Sequence, residues 1–380
     1  MSDVIRREVG TPNPPVVLTI RSKILGEDRR VYIQCPVDFE ESKGPYPVLL
    51  VLDGEWVFEV ARGTVRFLSE YDTMDRAIPH MLVVGIENID RDRDYVPTPD
   101  PAGEPEFPTA GAADAFLRFL GEELFPLLEA DFRAAPARCV VGWSFGGLLA
   151  LYSAVHAPEL FDAYLCIGPA VWWDGQLVVD QLLQTEFDRP KRMVITLGTE
   201  EKGGSVYEAT TRLLDGLAAN SPENLTIAHY ELEGVGHSWG IPTALDKGLR
   251  TLFAEYVPLA NVEEMSLDEL EARYDRLSMT WRFPVTPPPD PCQAIAVAEW
   301  KAGNHDQALK TVDRIIKKHP NYSYVQFQKA AYLSREGRYV EALDVLHAAE
   351  DVELRRAVPS GVRLRQIREE IAKMGAQLAS

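Results

Sequence analysis

Short apolar runs of strand length recur through the first two thirds of the chain and alternate with segments of helical periodicity. The runs are apolar at nearly every position, which is typical of strands covered on both faces in a parallel sheet. They are Val48–Leu52, Met81–Ile86, Cys139–Val141, Ala163–Ile167 and Met193–Leu197. Helix-period segments such as Ala113–Leu128 and Leu148–Ala157 lie between them. This alternation predicts a doubly wound, mostly parallel α/β sheet.

Two further patterns extend the predicted sheet at its ends. Val16–Arg21 and Val31–Cys35 alternate apolar and polar residues on either side of a turn, which predicts an antiparallel strand pair at a sheet edge. Thr226–Leu232 is expected to be the last strand, and Ile241–Tyr256 a closing helix. We assign residues 1–258 to this α/β domain.

A long loop rich in Asp, Pro and Gly interrupts the predicted α/β domain between Asp90 and Gly111. Loops of this length inside a compact domain are uncommon, and they are usually either functional or disordered. We expect this loop to lie at the rim of a binding site.

Strand patterns cease after residue 258. Residues 259–288 are predicted to form a helix and a Pro-rich linker, in which Pro284–Pro291 is stiff and extended. Beyond this linker only helical periodicity remains. We therefore expect a separate all-α domain over residues 289–380.

The all-α region contains an internal repeat. Gly303, Ala308 and Leu309 recur 34 residues later, as Gly337, Ala342 and Leu343. This period and pattern are typical of tetratricopeptide helix pairs, in which small residues allow the two helices to approach closely. We predict two tetratricopeptide-like repeats followed by a capping helix at Val362–Leu378.

Charge and cysteine content bear on partners and location. The chain carries 58 acidic and 39 basic side chains, for a net charge of −19. Such a surface repels nucleic acid and anionic membranes, so neither is expected as a partner.

Met1–Glu8 lacks the apolar region of a secretory signal, and no apolar run approaches the ~18 residues of a membrane span. The four scattered cysteines favour a reducing compartment, and we predict a cytoplasmic location.

A G-x-S-x-G pattern stands at the end of one predicted strand. Residues Gly142–Gly146 (GWSFG) follow the apolar run Cys139–Val141 and precede a helix-period segment. In a nucleophile elbow the serine sits on a strained turn, and its neighbours must be small because strand and helix approach closely there. This context predicts that Ser144 is a nucleophile, with the following helix N-terminus directed at developing negative charge.

A serine hydroxyl requires a base, and in this arrangement acid and base follow the serine along the chain. His237 fits the base, because it lies in a glycine-containing loop just after the last predicted strand. The orienting carboxylate is expected after the preceding strand. Glu201 is favoured, with the adjacent Glu200 as the alternative and Asp174 as a more remote one.

Two backbone N–H groups are expected to form an oxyanion hole. One is that of Phe145; the other follows the first central strand, at Glu55 or Trp56. Candidates for the substrate pocket are four tryptophans near the predicted active-site edge, Trp143, Trp172, Trp173 and Trp239. The sequence carries no recognisable metal or nucleotide motif, so no metal and no cofactor is predicted.

Several motifs together resemble the "Putative esterase" family of α/β-hydrolases, which includes esterase D-like enzymes and the enterochelin and salmochelin trilactone esterases. The motifs, spread over residues 15–256, are Tyr46–Val48, Leu52–Gly54, Arg91–Pro97, Gly111–Leu120, Gly142–Gly147 and Pro169–Trp173. The resemblance implies an α/β-hydrolase fold and ester hydrolysis by a Ser–acid–His mechanism. It supports Ser144, His237 and a carboxylate in Gly198–Glu201. Family members commonly carry His at the position of Trp143 and Ser at that of Ala170.

The leading prediction is a serine carboxylic-ester hydrolase that acts through an acyl-enzyme. Its expected substrate is a small-molecule ester, with siderophore-type, aromatic and apolar esters as candidates. Two alternatives stay open: an acyltransferase of the same fold, and a non-catalytic scaffold that binds a partner through its helical repeats. The repeats are also the expected surface for a homodimer or another protein partner.

Overall fold

The computed structural model describes residues 14–40, 44–70, 76–100, 106–257, 260–355 and 360–379. The described residues divide into two compact units. The sheet unit runs to Val257 and also includes Ser278–Pro284, and the helical unit contains the rest of the chain after Val257. Two predictions concern residues outside the described ones. They are the lack of a secretory signal in Met1–Glu8 and the part of the predicted loop at residues 101–105.

One mixed sheet forms the centre of the sheet unit. Its strands are β1 (Val16–Arg21), β2 (Asp28–Gln34), β3 (Tyr46–Val51), β4 (Leu82–Ile86), β5 (Ala134–Trp143), β6 (Ala163–Ile167), β7 (Lys191–Gly198) and β8 (Leu225–Leu232). They are arranged in the order β1-β2-β4-β3-β5-β6-β7-β8. β2 pairs antiparallel with β1 and β4, and the other neighbours are parallel. The predicted fold class, including the antiparallel edge pair, is confirmed.

Helices follow the parallel strands and cover the sheet. In the sheet unit they are α1 (Gly54–Glu70), α2 (Arg91–Tyr95), α3 (Ala113–Phe119), α4 (Phe125–Phe132), α5 (Phe145–His156), α6 (Trp173–Leu182), α7 (Ser205–Ala219) and α8 (Ile241–Leu252). The helix predicted over Ala113–Leu128 is divided by a π-helical turn at Leu120–Leu124. The predicted closing helix ends at Leu252, and a short 3-10 turn, Ala254–Tyr256, follows it.

The central strands are apolar throughout because both faces of the sheet are covered. All residues of β3 and β6 are buried, whereas the edge strand β8 buries only Leu232. β3 and β5 lie side by side and in parallel, with Val51 opposite Val141. The turns that follow these two strands therefore leave the sheet next to each other, at the edge where ligands bind in open α/β sheets.

The helical unit contains α9 (Leu267–Trp281), whose last residues belong to the sheet unit, and five further helices. These are α10 (Pro289–Lys301), α11 (His305–Lys318), α12 (Ser323–Arg335), α13 (Tyr339–Arg355) and α14 (Gly361–Ala379). The repeated residues Ala308 and Ala342 are both fully buried, at matching positions of α11 and α13. This arrangement is typical of packed helix pairs, and the assignment to tetratricopeptide repeats stays a prediction.

Part of the Pro-rich segment differs from the prediction. Pro284–Pro291 was expected to be extended, but α10 begins at Pro289, so the second part of the segment is helical. Proline fits the first turn of a helix because its missing N–H has no partner there and its φ is already helical. In the described part of the chain no helix is long and apolar enough to cross a membrane. The cytoplasmic location stays a prediction.

Candidate active site

Ser144 stands on a strained turn between β5 and α5. Its φ of 57° and ψ of −116° lie outside the regions that L-amino acids ordinarily adopt. Its N–H donates to the Ile167 carbonyl over 3.0 Å, and its own carbonyl accepts from Ala170 N–H over 3.0 Å, so the turn is held by the segment after β6. Strain of this kind persists only where the surroundings enforce it, and it is concentrated at functional sites.

Close contacts around the start of α5 explain why glycine stands at Gly142, within the G-x-S-x-G pattern, and at Gly147, directly after it. A Cβ atom at Gly142 would lie 2.1 Å from the Gly146 carbonyl oxygen, and one at Gly147 would lie 2.9 Å from Pro169 Cα. Both distances are far shorter than a carbon side chain tolerates. The glycines therefore allow the turn that exposes Ser144 at the start of the helix.

His237 and Glu201 form a hydrogen-bonded pair. His237 Nδ1 lies 2.6 Å from Glu201 Oε2, and the other carboxylate oxygen accepts from the Gly198 N–H over 2.9 Å. Of the three described carboxylates that the sequence offered, only Glu201 bonds the imidazole; Glu200 and Asp174 do not. The structure thus brings His237 together with the favoured acid rather than with either alternative.

The environment of Glu201 favours its charged form. Burial acts to raise the pKa of Glu201, but the hydrogen bonds from His237 and from the Gly198 N–H outweigh it, and the pKa lies below its ordinary value. An ionised Glu201 accepts a hydrogen bond from an N–H at Nδ1 of His237. In the neutral imidazole this tautomer leaves Nε2 without a proton. That protonation state is the one that a general base requires.

Gly168 was not singled out from the sequence, and it lies against the His237–Glu201 pair. A Cβ at this position would lie 3.0 Å from His237 Nδ1 and 3.5 Å from Glu201 Oε2, and the residue has a φ of +48°. Gly168 directly follows Ile167, whose carbonyl binds the Ser144 N–H. The imidazole therefore packs on the same short segment that holds the nucleophile turn.

The Ser144 hydroxyl makes no hydrogen bond within the described part of the chain. In unliganded hydrolases the bond between nucleophile and base is often long until substrate is bound. Another contact joins the nucleophile turn to the His237 loop. The indole N–H of Trp143 donates to the His237 carbonyl over 2.8 Å, and the centroids of the Trp143 and His237 rings are 5.2 Å apart.

The four tryptophans predicted to line a pocket occupy different environments. Trp143 and Trp172 are half-buried, and Trp172 packs against Phe145. Trp173 belongs to the core, since it is 3% exposed and its indole N–H donates to Thr98. Trp239 is 84% exposed. Trp173 is thus a core residue and Trp239 lies on open surface. That these tryptophans line a substrate pocket stays a prediction.

The predicted oxyanion donors also differ in their surroundings. The Trp56 N–H donates to the Asp53 carbonyl over 3.0 Å, as part of the first turn of α1. No described hydrogen bond uses the N–H of Glu55 or that of Phe145. Of the two residues considered after β3, the structure therefore favours Glu55 as the one with an uncommitted donor.

A buried ion pair beneath these turns was missed by the sequence reasoning. Asp53, fully buried and with a φ of 55°, accepts two hydrogen bonds from the Arg91 guanidinium, at 2.6 and 3.0 Å. Arg91 also donates to the Trp143 carbonyl over 3.0 Å. Both residues lie within motifs that carried the family resemblance, but nothing in the sequence indicated that they are partners.

Comparison with known proteins agrees with this architecture. The model of the "Putative esterase" family matches residues 22–239. The ferri-bacillibactin esterase BesA of Bacillus subtilis is 26% identical over 54% of this chain and 78% of its own. The siderophore triacetylfusarinine C esterase of Aspergillus fumigatus is 25% identical over 61% of this chain and 90% of its own.

A solved structure extends the similarity. The IroE-like serine hydrolase from Shewanella oneidensis superposes with a TM-score of 0.69 and 25% sequence identity, over 80% of this chain and 99% of that one. The family match covers more than half of the chain, including the nucleophile turn and the His237 loop. The chain therefore belongs to the "Putative esterase" family, and it is a carboxylic-ester hydrolase.

Proposed function

We propose that the protein hydrolyses carboxylic esters through a covalent acyl-enzyme, with Ser144 as nucleophile, His237 as general base and acid, and Glu201 as orienting acid. The observation that carries the proposal is the 2.6 Å contact between His237 Nδ1 and Glu201 Oε2. The imidazole of this pair also lies against Gly168, in the segment whose Ile167 and Ala170 bond the backbone of the strained Ser144. Along the chain the nucleophile is followed by the acid and then by the base, which is the order expected for this fold.

The first half-reaction makes the acyl-enzyme. Nε2 of His237 takes the hydroxyl proton as Ser144 Oγ attacks the ester carbonyl, and a tetrahedral intermediate forms. Collapse of this intermediate breaks the bond to the alkoxy oxygen, which leaves with the proton held by His237. The ionised Glu201 stabilises the imidazolium while it exists, and it keeps the ring oriented.

The second half-reaction releases the acid. A water molecule gives a proton to His237 Nε2 and attacks the acyl carbon, and a second tetrahedral intermediate expels Ser144 Oγ, which recovers the proton. The N–H groups of Phe145 and Glu55 are the proposed donors to the negatively charged oxygen in both intermediates. Loss of one such donor in related chemistry costs about 3–4 kcal/mol of transition-state stabilisation.

The surroundings of Ser144 favour an ester with a planar or apolar group. Trp143 and Trp172 are half-buried beside the nucleophile turn, and Trp56 is 60% exposed with its ring 6.4 Å from that of Trp143. Exposed aromatic faces near a reactive centre are suited to binding flat or apolar ligands. Together with the named activities of the two relatives, this supports siderophore-type or other aromatic and apolar esters as substrates.

Labelling with a fluorophosphonate probe tests the nucleophile. We expect stoichiometric labelling of the wild type and none of Ser144→Ala, with Ser153→Ala as the control for an unrelated buried serine in α5. A panel of p-nitrophenyl, naphthyl and trilactone esters then identifies the preferred acyl and alcohol groups. A folded wild type that is neither labelled nor active on any ester would contradict the proposal and favour the scaffold alternative.

Product analysis separates hydrolysis from acyl transfer. If water is the acceptor, adding an alcohol or an amine leaves the yield of free acid unchanged. An acyltransferase would instead convert most of the acyl group into the new ester or amide. We expect free acid as the dominant product.

We propose further that the helical repeats carry a protein contact, most simply with a second copy of the chain. Several large apolar side chains of this unit are exposed, among them Val340 at 61% and Val362 at 67%. Light scattering of the full chain over a range of concentrations tests this. A monomer at all concentrations would contradict self-association.

A further inference from the structure

The loop that carries the proposed base has little apolar packing of its own. In this His237 loop, residues 233–240, the side of the chain facing solvent is large: Glu233, Gly234, Ser238 and Trp239 are all exposed. Exposed loops with few buried apolar contacts open and shift easily. A general base must nevertheless stay within hydrogen-bond reach of the proton that it takes. Polar contacts to a firmer part of the molecule are therefore needed to hold this loop.

The 3-10 turn that carries the proposed acid, Thr199–Glu201, makes such contacts. The hydroxyl of Thr199 accepts a hydrogen bond from the N–H of Gly234 over 2.9 Å. The N–H of the next residue, Glu200, donates to the carbonyl of Val235 over 3.2 Å. Gly234 lies two residues after the end of β8, so Thr199 binds the His237 loop where it leaves the sheet.

The contact between the 3-10 turn and the His237 loop continues to the imidazole. Glu201 Oε2 lies 2.6 Å from His237 Nδ1. On the other side of the turn, a Cβ at Gly198 would collide with the carbonyl oxygen of Val235, so the two backbones touch there. Three successive residues of the turn thus each bind the loop, at Gly234, Val235 and His237.

From these contacts we infer that Thr199 is a positioning residue for the base: its hydroxyl fixes the start of the His237 loop on the turn that carries Glu201, and so keeps the imidazole aligned with that carboxylate. The inference rests on the proposed function. The Trp143 indole holds the same loop at the His237 carbonyl, three residues after Gly234. Two attachment points fix both the position and the direction of the short segment between them.

The hydroxyl group is the part of Thr199 that this role requires. Serine keeps an oxygen that accepts the Gly234 N–H, whereas valine has the branched shape of threonine and no acceptor. Because Gly234 is exposed, water can replace the lost acceptor, and the stability of the fold should change little. Thr199→Val therefore separates positioning from folding.

The test compares Thr199→Val and Thr199→Ser with Thr185→Val. Thr185 lies just after α6, and its hydroxyl also bonds the backbone, at the Gln181 carbonyl over 2.8 Å. Active sites are counted by titration with a chromogenic phosphonate, so that every rate refers to folded, reactive protein. For each variant kcat and KM are measured with a p-nitrophenyl ester.

A spectroscopic measurement accompanies the kinetics. Proton NMR follows the Nδ1 proton of His237, whose hydrogen bond to a carboxylate shifts its signal far downfield. The signal is assigned by its absence from His237→Gln. It reports on the alignment of His237 with Glu201 whether or not substrate is turned over.

For Thr199→Val we expect kcat per active site to fall roughly tenfold, because a displaced imidazole transfers the proton poorly. KM should stay near the wild-type value, and the downfield signal should move upfield or broaden through exchange with water. Thr199→Ser and Thr185→Val should retain the wild-type kcat and signal. A purely structural role would instead reduce the number of titratable sites and leave the rate per site and the signal unchanged.

A kcat per site within about threefold of the wild type in Thr199→Val, with an unchanged signal, would overturn the inference. An equal loss in Thr199→Ser, which keeps the hydroxyl, or in the Thr185→Val control would do so as well. If Thr199→Val yields no titratable sites, amide hydrogen exchange of the wild type decides. Exchange of the Gly234 N–H slowed by at least about tenfold supports the inference, and exchange at the rate of an unstructured chain overturns it.

Failure of the proposed function is distinguishable from failure of this inference. In the first case the wild type itself shows no titratable serine, while the Gly234 exchange rate and the His237 signal still report on the contact. In the second case the wild type is titrated and active, and Thr199→Val behaves like it.

Discussion

The indole N–H of Trp143 donates to the backbone carbonyl of His237 over 2.8 Å, so the residue before the nucleophile holds the loop that carries the base. Trp143→Phe keeps a ring and removes this bond. We expect kcat/KM to fall roughly tenfold, because a small displacement of the imidazole weakens proton transfer.

Trp173→Phe is the matched control for the Trp143 variant, since it removes an indole hydrogen bond to Thr98 and not to the His237 loop. Loss of the hydrogen bond alone should lower the free energy of unfolding by about 1 kcal/mol in each variant, as measured in urea. The cavity left at the buried Trp173 adds to the loss in Trp173→Phe. Equal losses of activity in the two variants would contradict the assigned role of Trp143.

The adjacent carboxylates of Glu200 and Glu201 provide a matched pair. Glu201→Gln removes the negative charge that faces His237 Nδ1 and should lower kcat roughly 10²- to 10⁴-fold, as loss of the triad acid does elsewhere. Glu200→Gln should remain close to wild type. Steady-state kinetics at several ester concentrations measure both. A larger loss in Glu200→Gln would reverse the assignment of the acid.

Gly168 is predicted to be essential for geometry rather than for folding. Gly168→Ala places a Cβ 3.0 Å from His237 Nδ1, and the residue also has a φ of +48°, so the imidazole or the backbone must shift. Gly26→Ala carries similar backbone strain, with a φ of +72°, but meets nothing within 4 Å. Both variants should lose about 1–2 kcal/mol of stability, whereas only Gly168→Ala should lose most of its activity.

The control variant makes the Gly168 experiment decisive. Thermal unfolding and kcat/KM are measured for both alanine variants. If Gly168→Ala retains wild-type kcat/KM, the imidazole does not depend on the space that this glycine leaves.

The buried amine of Lys191 should make the free energy of unfolding depend on pH in the alkaline range. Burial lowers the pKa of this amine to about 8, from an ordinary value of 10.5. Between these two values the unfolded chain binds the proton more tightly than the native protein does, so the stability contribution of Lys191 rises with pH across that window.

Urea unfolding of the wild type and of Lys191→Met at pH 7 to 10 tests this prediction. The stability of the wild type relative to the variant should increase above pH 8. Lys23→Met, at an exposed lysine of the same unit, controls for the introduction of methionine. A wild-type to Lys191→Met difference that stays constant from pH 7 to 10 would contradict the shifted pKa.

Features with a strong local pattern could be predicted from the sequence. The buried strands are apolar throughout because they are covered on both faces, and that pattern is visible in the runs that became β3, β4 and β6. The Ser144 turn was recognisable because the contact between β5 and α5 requires glycine at Gly142.

Choices between neighbouring or identical residues could not be made in this way. Whether Glu200 or Glu201 faces His237 depends on the 3-10 turn over Thr199–Glu201 and on the bond from Gly198. Trp173 and Trp239 are the same residue type, and only the packing of the α6 segment and of the loop after His237 decides which one is buried. Sequence periodicity does not encode either relationship.

The contacts of Arg91 show a third limit. Asp53, Arg91 and Trp143 are far apart along the chain, and they meet because the strands that precede them, β3, β4 and β5, are neighbours in the sheet. A motif can mark such residues, but the bond between them is a property of the assembled sheet.

Asp53 and Ser144 both have a positive φ, which strains the backbone of a residue that carries a Cβ. The side-chain interactions that offset this strain differ between the two residues. The strain at Asp53 is offset by its bonds to Arg91 and Asn88, while the Ser144 side chain makes no compensating hydrogen bond within the described residues. Glycine in place of Ser144 would relax the turn by roughly 1–2 kcal/mol. Selection for thermal stability alone would therefore enrich inactive variants such as Ser144→Gly. Directed evolution of a more stable enzyme must screen for catalytic activity at the same time.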